Sequence, residues 1–177
     1  PGFTDKDNTI GINDIDELNG VNLVQLLENK FNVKVAIDRS PAISAYGFYK
    51  KYPEFRKSAL ATVLTPEGHP LGAGFIIDGN IYKGSSNMEG EISYIYNGLS
   101  NTSHTDKNMT SNLKNETLFA IAAIISTINP SVIVFMGKSF TNDIYNDICK
   151  KCTDMFPKSF LPEFTLLEDY SDVYLTG

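Results

Sequence analysis

Short apolar runs alternate along this chain with polar segments rich in glycine, proline and asparagine, and the alternation predicts strands and helices in turn. Leu23, Leu26, Leu27 and Phe31 recur at helical spacing across 19–31. Residues 33–37 (VKVAI) then read as a strand ending at Asp38. Ser40 ahead of Pro41 signals a helix start, with Ser as N-cap and Pro at the first helical position. That helix is expected to run through Ala42, Ala45 and Phe48 toward Tyr52 and stop at Pro53. Residues 59–64 open a sheet, and 98–111, polar and aperiodic, read as a loop. A strongly apolar helix follows over 113–128, with Leu118, Ile121, Ala122, Ile125 and Ile128 on one face. Asn129 and Pro130 end it, and 132–135 read as a buried strand. An amphipathic helix over 142–155 and short strands over 163–167 and 173–175 complete the chain. Strand–helix alternation around one long hairpin predicts a layered α/β fold.

The hairpin is the densest source of information. Asp78 and Gly79 lie between Phe75-Ile76-Ile77 and Ile81-Tyr82, a strong hairpin signal because a primed turn needs positive φ. Gly72 and Gly74, lacking Cβ atoms, predict a close approach by another backbone. Beyond Lys83 and Gly84, the small-residue loop Ser85-Ser86-Asn87 leads to Glu89 and Glu91. Spaced two apart, these carboxylates fall on one side of an extended segment, either as an acid–base pair or as a solvated rim.

Composition removes several function classes. The 177 residues suit one domain or two small lobes, and the 42% hydrophobic and 20% charged fractions are those of a globular protein. The net charge is −6, and Lys50-Lys51 and Lys150-Lys151 are isolated pairs. No clustered cations are available to displace counterions from a nucleic acid. No apolar run reaches membrane-spanning length, and no signal peptide is present. Cys149 and Cys152 have the spacing of neighbours on a helix face and lack two further ligands for zinc, so both read as core thiols. The sequons at Asn101, Asn108 and Asn115 read as chance in an Asn-rich chain.

The glycine-rich run 71–91 resembles the ROK family of sugar kinases and sugar-responsive repressors, in which such a hairpin leads into A-G-E-I-G-H. Pro1-Gly2-Phe3-Thr4-Asp5 is similar to the family's P-G-x-V-D, the strand ending in Asp38 to its N-D, and Asn129-Pro130-Ser131-Val132-Ile133-Val134-Phe135-Met136-Gly137 to its N-P-E-x-I-V-L-G-G. The resemblance implies an actin-like (ribonuclease H-like) fold, with 1–58 the C-terminal part of the first lobe and 59–177 the second lobe. It implies that Asp38 matches the family's general base toward a sugar hydroxyl, a carboxylate that must reach the attacking oxygen. Capping of its own helix is the alternative reading for Asp38. Glu91 matches a sugar ligand, and Tyr94 stands where the family has a histidine that contacts sugar and zinc. Ile37 replaces the family's Asn, and Glu89 replaces an alanine. The family's zinc cysteines and a further sugar-binding Glu have no counterpart. Gly68, Gly72, Gly74 and Gly137 fall at degenerate nucleotide-binding positions. Pro70 there removes an amide, and Met136 is expected to crowd an adenosine.

These substitutions lead to the expectation of a ligand-sensing and assembly domain of a ROK-type transcriptional regulator, sugar-responsive and kinase-incompetent. A small sugar or sugar phosphate is expected to bind weakly through Asp38 and Glu91, with Tyr94 and Glu89 as further contacts. No cofactor is expected and no zinc. DNA would be contacted only through a domain outside this chain, such as an upstream helix-turn-helix, the chain starting at Pro1 being read as a piece of a longer protein. A bacterial, cytoplasmic homo-oligomer without membrane contact completes the expectation. The alternatives are an ATP- and Mg-dependent hexose kinase with Asp38 as base, and a dimerisation module that binds no small molecule.

Overall fold

The structure is a computed structural model that describes residues 4–5, 7–11, 15–65, 70–95 and 113–177. Strands β1 (Ala59–Leu64), β2 (Gly72–Ile77), β3 (Asn80–Ile81), β4 (Val132–Met136) and β5 (Glu163–Leu167) form one mixed sheet in the order β3-β2-β1-β4-β5. β1 pairs antiparallel with β2 and parallel with β4, and β4 pairs parallel with β5. The central strands are apolar on both sides, as strands covered by helices on both faces must be.

Alternation along β1 and β4 sends Leu60, Leu64, Val132, Val134 and Met136 to one face and Ala61, Val63, Ile133 and Phe135 to the other. Helix α2 (Ser40–Lys51) covers the first face with Ala45 and Phe48, joined by Val173. Helices α3 (Leu113–Thr127) and α4 (Asn142–Met155) cover the second, where Ile121, Ile125, Ile148 and Cys152 meet the sheet. Each fully buried aliphatic or aromatic side chain is worth about 1.5–3 kcal/mol relative to exposure, so these two layers carry the fold. α2, N-terminal to the lobe boundary expected at residue 58, packs on β1 and β2.

The hairpin turn is as expected: Asp78 (φ 48°) and Gly79 (φ 81°) both take the left-handed backbone of a primed turn. Several expectations are corrected. Residues 33–37 form no strand; Val33 is 56% exposed, and the Val35 amide donates to a Glu28 side-chain oxygen at 3.1 Å instead of to a ladder. The helix expected over 19–31 begins as α1 at Leu23 (Leu23–Phe31), capped by the Asn22 side chain on the Gln25 amide. Its apolar stripe is only partly buried: Leu23 and Leu27 are half-buried, and Leu26 and Phe31 are exposed. Ser40 is not the N-cap of α2: Arg39 holds that position without a side-chain cap, and Pro41 follows within the first turn. On α3 the buried face runs through Glu116, Thr117, Ala120, Ile121, Ile124 and Ile125. Of the expected stripe Ile121 and Ile125 are buried, Leu118 and Ile128 pack half-buried against the core, and Ala122 is half-buried. Residues 173–175 belong to a short helix, α5 (Ser171–Thr176), started by the Asp169 side chain accepting from the Ser171 amide. The loop expected at 98–111 lies outside the described residues.

Candidate functional site

Two close approaches around β2 assemble the site. Gly72 and Gly74 present bare α-carbons to Pro41; a Cβ on Gly72 would stand 2.8 Å from Pro41 Cγ, and one on Gly74 would overlap the Pro41 carbonyl. Only glycine lets the first turn of α2 lie this close to the strand. The returning loop meets the same end of β2: the Ala73 amide donates to Gly90 O at 2.7 Å. Gly90 (φ 78°) has no room for a Cβ against Ala73 O. Residues 38–39 and 89–91, fifty positions apart in sequence, therefore converge at the start of β2.

The convergence brings Asp38, Glu89 and Glu91 together around two cations. Arg39 Nη1 donates to Glu91 Oε1 at 2.7 Å, and Nη2 donates to Glu89 Oε1. The Arg39 and Glu89 side chains are only 9% and 5% exposed. Lys83 Nζ pairs with Asp38 Oδ2 at 2.7 Å, while Asp38 Oδ1 accepts the Arg39 amide at 2.9 Å. Three carboxylates against two cations leave the group one negative charge in excess. Arginine suits the central place, because its planar fork can serve two carboxylates at once. The second Glu89 oxygen, Oε2, is buried without a hydrogen-bond partner.

Glu89 and Glu91 meet one partner, Arg39, but through a turn in which Gly90 takes a left-handed backbone and not along the extended segment expected. Glu89 is buried on Arg39 instead of lining a solvated rim. Tyr94 is exposed, its amide donating to Glu91 O at 3.2 Å. Arg39 and Lys83 were the residues sequence reasoning missed. Their signal was the pairing rule itself: carboxylates in an otherwise small and apolar stretch need nearby cations, and Arg39 adjoins Asp38.

The glycines at nucleotide-binding positions have other surroundings. Gly72 and Gly74 lie within the ladder, their open side filled by Pro41. Gly137 follows β4 with φ 114°, beside a Thr65 hydroxyl that is buried without a partner. Gly68 lies outside the described residues. Met136, expected to crowd an adenosine, is fully buried in the core against α2. Among the described residues, Gly72 and Gly74 present no free face to a phosphate. Burial raises the thiol pKa values of Cys149 and Cys152, the latter to about 11. Both therefore stay protonated at neutral pH. No group of three His, Cys, Asp or Glu stands at metal-holding distance among the described residues.

No family model matches the sequence, and no curated protein does. Solved structures do. A candidate N-acetylmannosamine kinase from Listeria monocytogenes superposes with a TM-score of 0.73 at 13% identity, over 99% of this chain and 75% of its own. A ROK family glucokinase from Streptomyces griseus, solved with glucose and AMPPNP, gives 0.64 at 13%, over 99% and 78%. A ROK family transcriptional regulator, a homologue of the E. coli MLC protein, gives 0.71 at 12%, over 99% and 59%. The five-stranded mixed sheet and its flanking helices thus have the actin-like fold of ROK sugar kinases and of a ROK regulator.

Proposed function

We propose that this chain is the sugar-sensing and assembly part of a transcriptional regulator built on the ROK fold, without kinase activity. The observation that carries the reading is the Arg39 bridge to both Glu89 and Glu91, with Lys83 on Asp38. A kinase keeps its base and sugar-binding carboxylates open for hydroxyl groups. Here each carboxylate already has a cation, so a sugar enters by exchange. Its hydroxyls take Glu91 and Asp38, and the cations loosen. Such an exchange biases two arrangements of the segments carrying Arg39 and Glu91, which is a sensing device by population shift. It also makes binding weak, since each hydrogen bond to a charged group is worth only about 1.5–3 kcal/mol and the displaced ion pair opposes it. DNA contact belongs to a different domain, given the −6 net charge of this one.

The test is calorimetric titration of the protein with glucose, mannose, N-acetylglucosamine, N-acetylmannosamine and glucose 6-phosphate, repeated with Asp38→Ala and Glu91→Ala. Binding that both substitutions abolish supports the sensor. Tight binding that neither changes contradicts it, and absence of binding favours a dimerisation module.

A second reading, an ATP-dependent hexose kinase with Asp38 as base, is favoured by one feature. Asp38 stands immediately ahead of α2 and is still partly open to solvent, with 21% of its side chain exposed. ATP and magnesium would supply the phosphoryl group and its charge neutralisation in that case.

A further inference from the structure

A cavity of about 350 Å³, lined in part by Glu89, opens between the 82–95 segment and the C-terminal half of α3. Its floor is apolar, formed by Phe75, Ile92, Ile124 and Ile128, and its rim carries the hydroxyls of Tyr82 and Ser85. The cavity is open to solvent, and its lining is largely apolar with few polar groups, as at small-molecule sites. Glu89 also lines this cavity, and it is the residue whose Oε2 is buried without a donor. Buried carboxylate oxygens without partners are rare in folded proteins and mark places where a group is missing.

The position of Oε2 shows how such a group would arrive. The oxygen lies 4.0 Å from where a Cβ on Gly84 would be, and Gly84 is itself exposed and part of the cavity wall. Oε2 is itself closed off from water, so a donor reaches it only as the 84–90 loop yields. The charge balance indicates the kind of donor: Asp38, Glu89 and Glu91 against Arg39 and Lys83 leave one negative charge unmatched.

We propose that the cavity is a small-molecule site, distinct from the ion-paired group of Asp38, Arg39 and Glu91, for a compact apolar body bearing a primary ammonium group. The apolar body rests on Phe75, Ile92, Ile124 and Ile128, and the ammonium donates to Glu89 Oε2 after a small yielding of the 84–90 loop. Glu89 then holds Arg39 through one oxygen and the ligand through the other. Occupancy of the cavity thereby bears on the hold of Arg39 on Glu91.

Methyl NMR of the isoleucine side chains of the chain tests this, using benzylamine, benzyl alcohol and benzoate as probes. Benzylamine should give saturable shifts at Ile92, Ile124 and Ile128, with at least tenfold weaker response to benzyl alcohol and none to benzoate. Glu89→Gln should lower the benzylamine response to the benzyl alcohol level. Because Glu89→Gln disturbs the Arg39 bridge and risks the fold, Thr127→Phe provides an independent check. It fills the cavity from the exposed end of α3 and should abolish the shifts while leaving the ion pairs alone. The proposal is overturned if benzylamine gives no saturable shift, if benzyl alcohol or benzoate binds as well, or if the shifts survive Thr127→Phe.

Discussion

β4 and the charged group ahead of α2 hold their side chains in place by opposite means. In β4, Val132 through Met136 are all excluded from water, and what holds them is contact: Phe135 meets the rings of Phe140, Tyr145 and Phe164 at centroid distances of 5.2–6.1 Å. Around Arg39, groups only 5–18% exposed are held by charge compensation between residues fifty positions apart. Apolar packing of the first kind is the inexpensive way to build a core, whereas buried ion pairs seldom outperform hydrophobic replacements of similar size. Buried ion pairs are thus weak contributors to stability, and the proposed function rests on this group.

The sharpest way to break the comparison is to damage each region in turn. Phe135→Ala should cost about 3–5 kcal/mol, the transfer and cavity cost of a large buried ring, measured by urea unfolding. Arg39→Ala should cost somewhat less, roughly 3 kcal/mol, because it strands the Glu89 carboxylate in a nearly dry place. Adding Glu89→Ala to Arg39→Ala should return part of that loss, since the stranded charge goes with it. If instead the two losses simply add, the bridge is no unit and the contrast with the sheet fails. No such recovery is expected for any second truncation beside Phe135.

Alkali should loosen the packed region. Tyr145, whose hydroxyl donates to Phe164 O at 2.9 Å, has its pKa pushed by burial up to about 12 from 10.0, and Cys152 is pushed to about 11 from 9.0. Both folded-state values exceed the unfolded ones, so their contribution is complete below pH 9 and is lost as pH rises toward 12. The urea midpoint, followed under reducing conditions from pH 8 to 11.5, should fall, and Tyr145→Phe should flatten the upper part of the decline. The smallest effect is expected on the outer surface. Lys51→Ala removes an exposed pair with Asp172 and should leave the unfolding midpoint within error.

What the sequence revealed follows the same division. The strands at 59–64, 132–136 and 163–167, the helix at 142–155 and the turn at Asp78-Gly79 were legible because period and turn chemistry are local signals. Segments whose state depends on a distant partner were misread. Residues 33–37 have the alternation of a strand but pair with no strand of the sheet. Residues 173–175 look β-like, yet the Asp169 carboxylate accepting from the Ser171 amide and the packing of Val173 beside Ala45 and Phe48 of α2 go with a helix there. At the site, the convergence of Asp38 with Glu91 followed from family resemblance, while Arg39 and Lys83 escaped notice because an ion pair across fifty residues leaves no periodicity. Ile37, Tyr94 and Pro70 were informative as departures from a pattern, not as structure.

The central claim is that this scaffold senses sugar without phosphorylating it. The most direct measurement is a coupled phosphotransfer assay on the full-length protein with ATP and magnesium, over the hexoses and N-acetylhexosamines used in the titrations. The account predicts no turnover above the background of the Asp38→Ala variant. Turnover near ~10 per second, the typical median for enzymes, that disappears in Asp38→Ala would contradict it and establish the kinase.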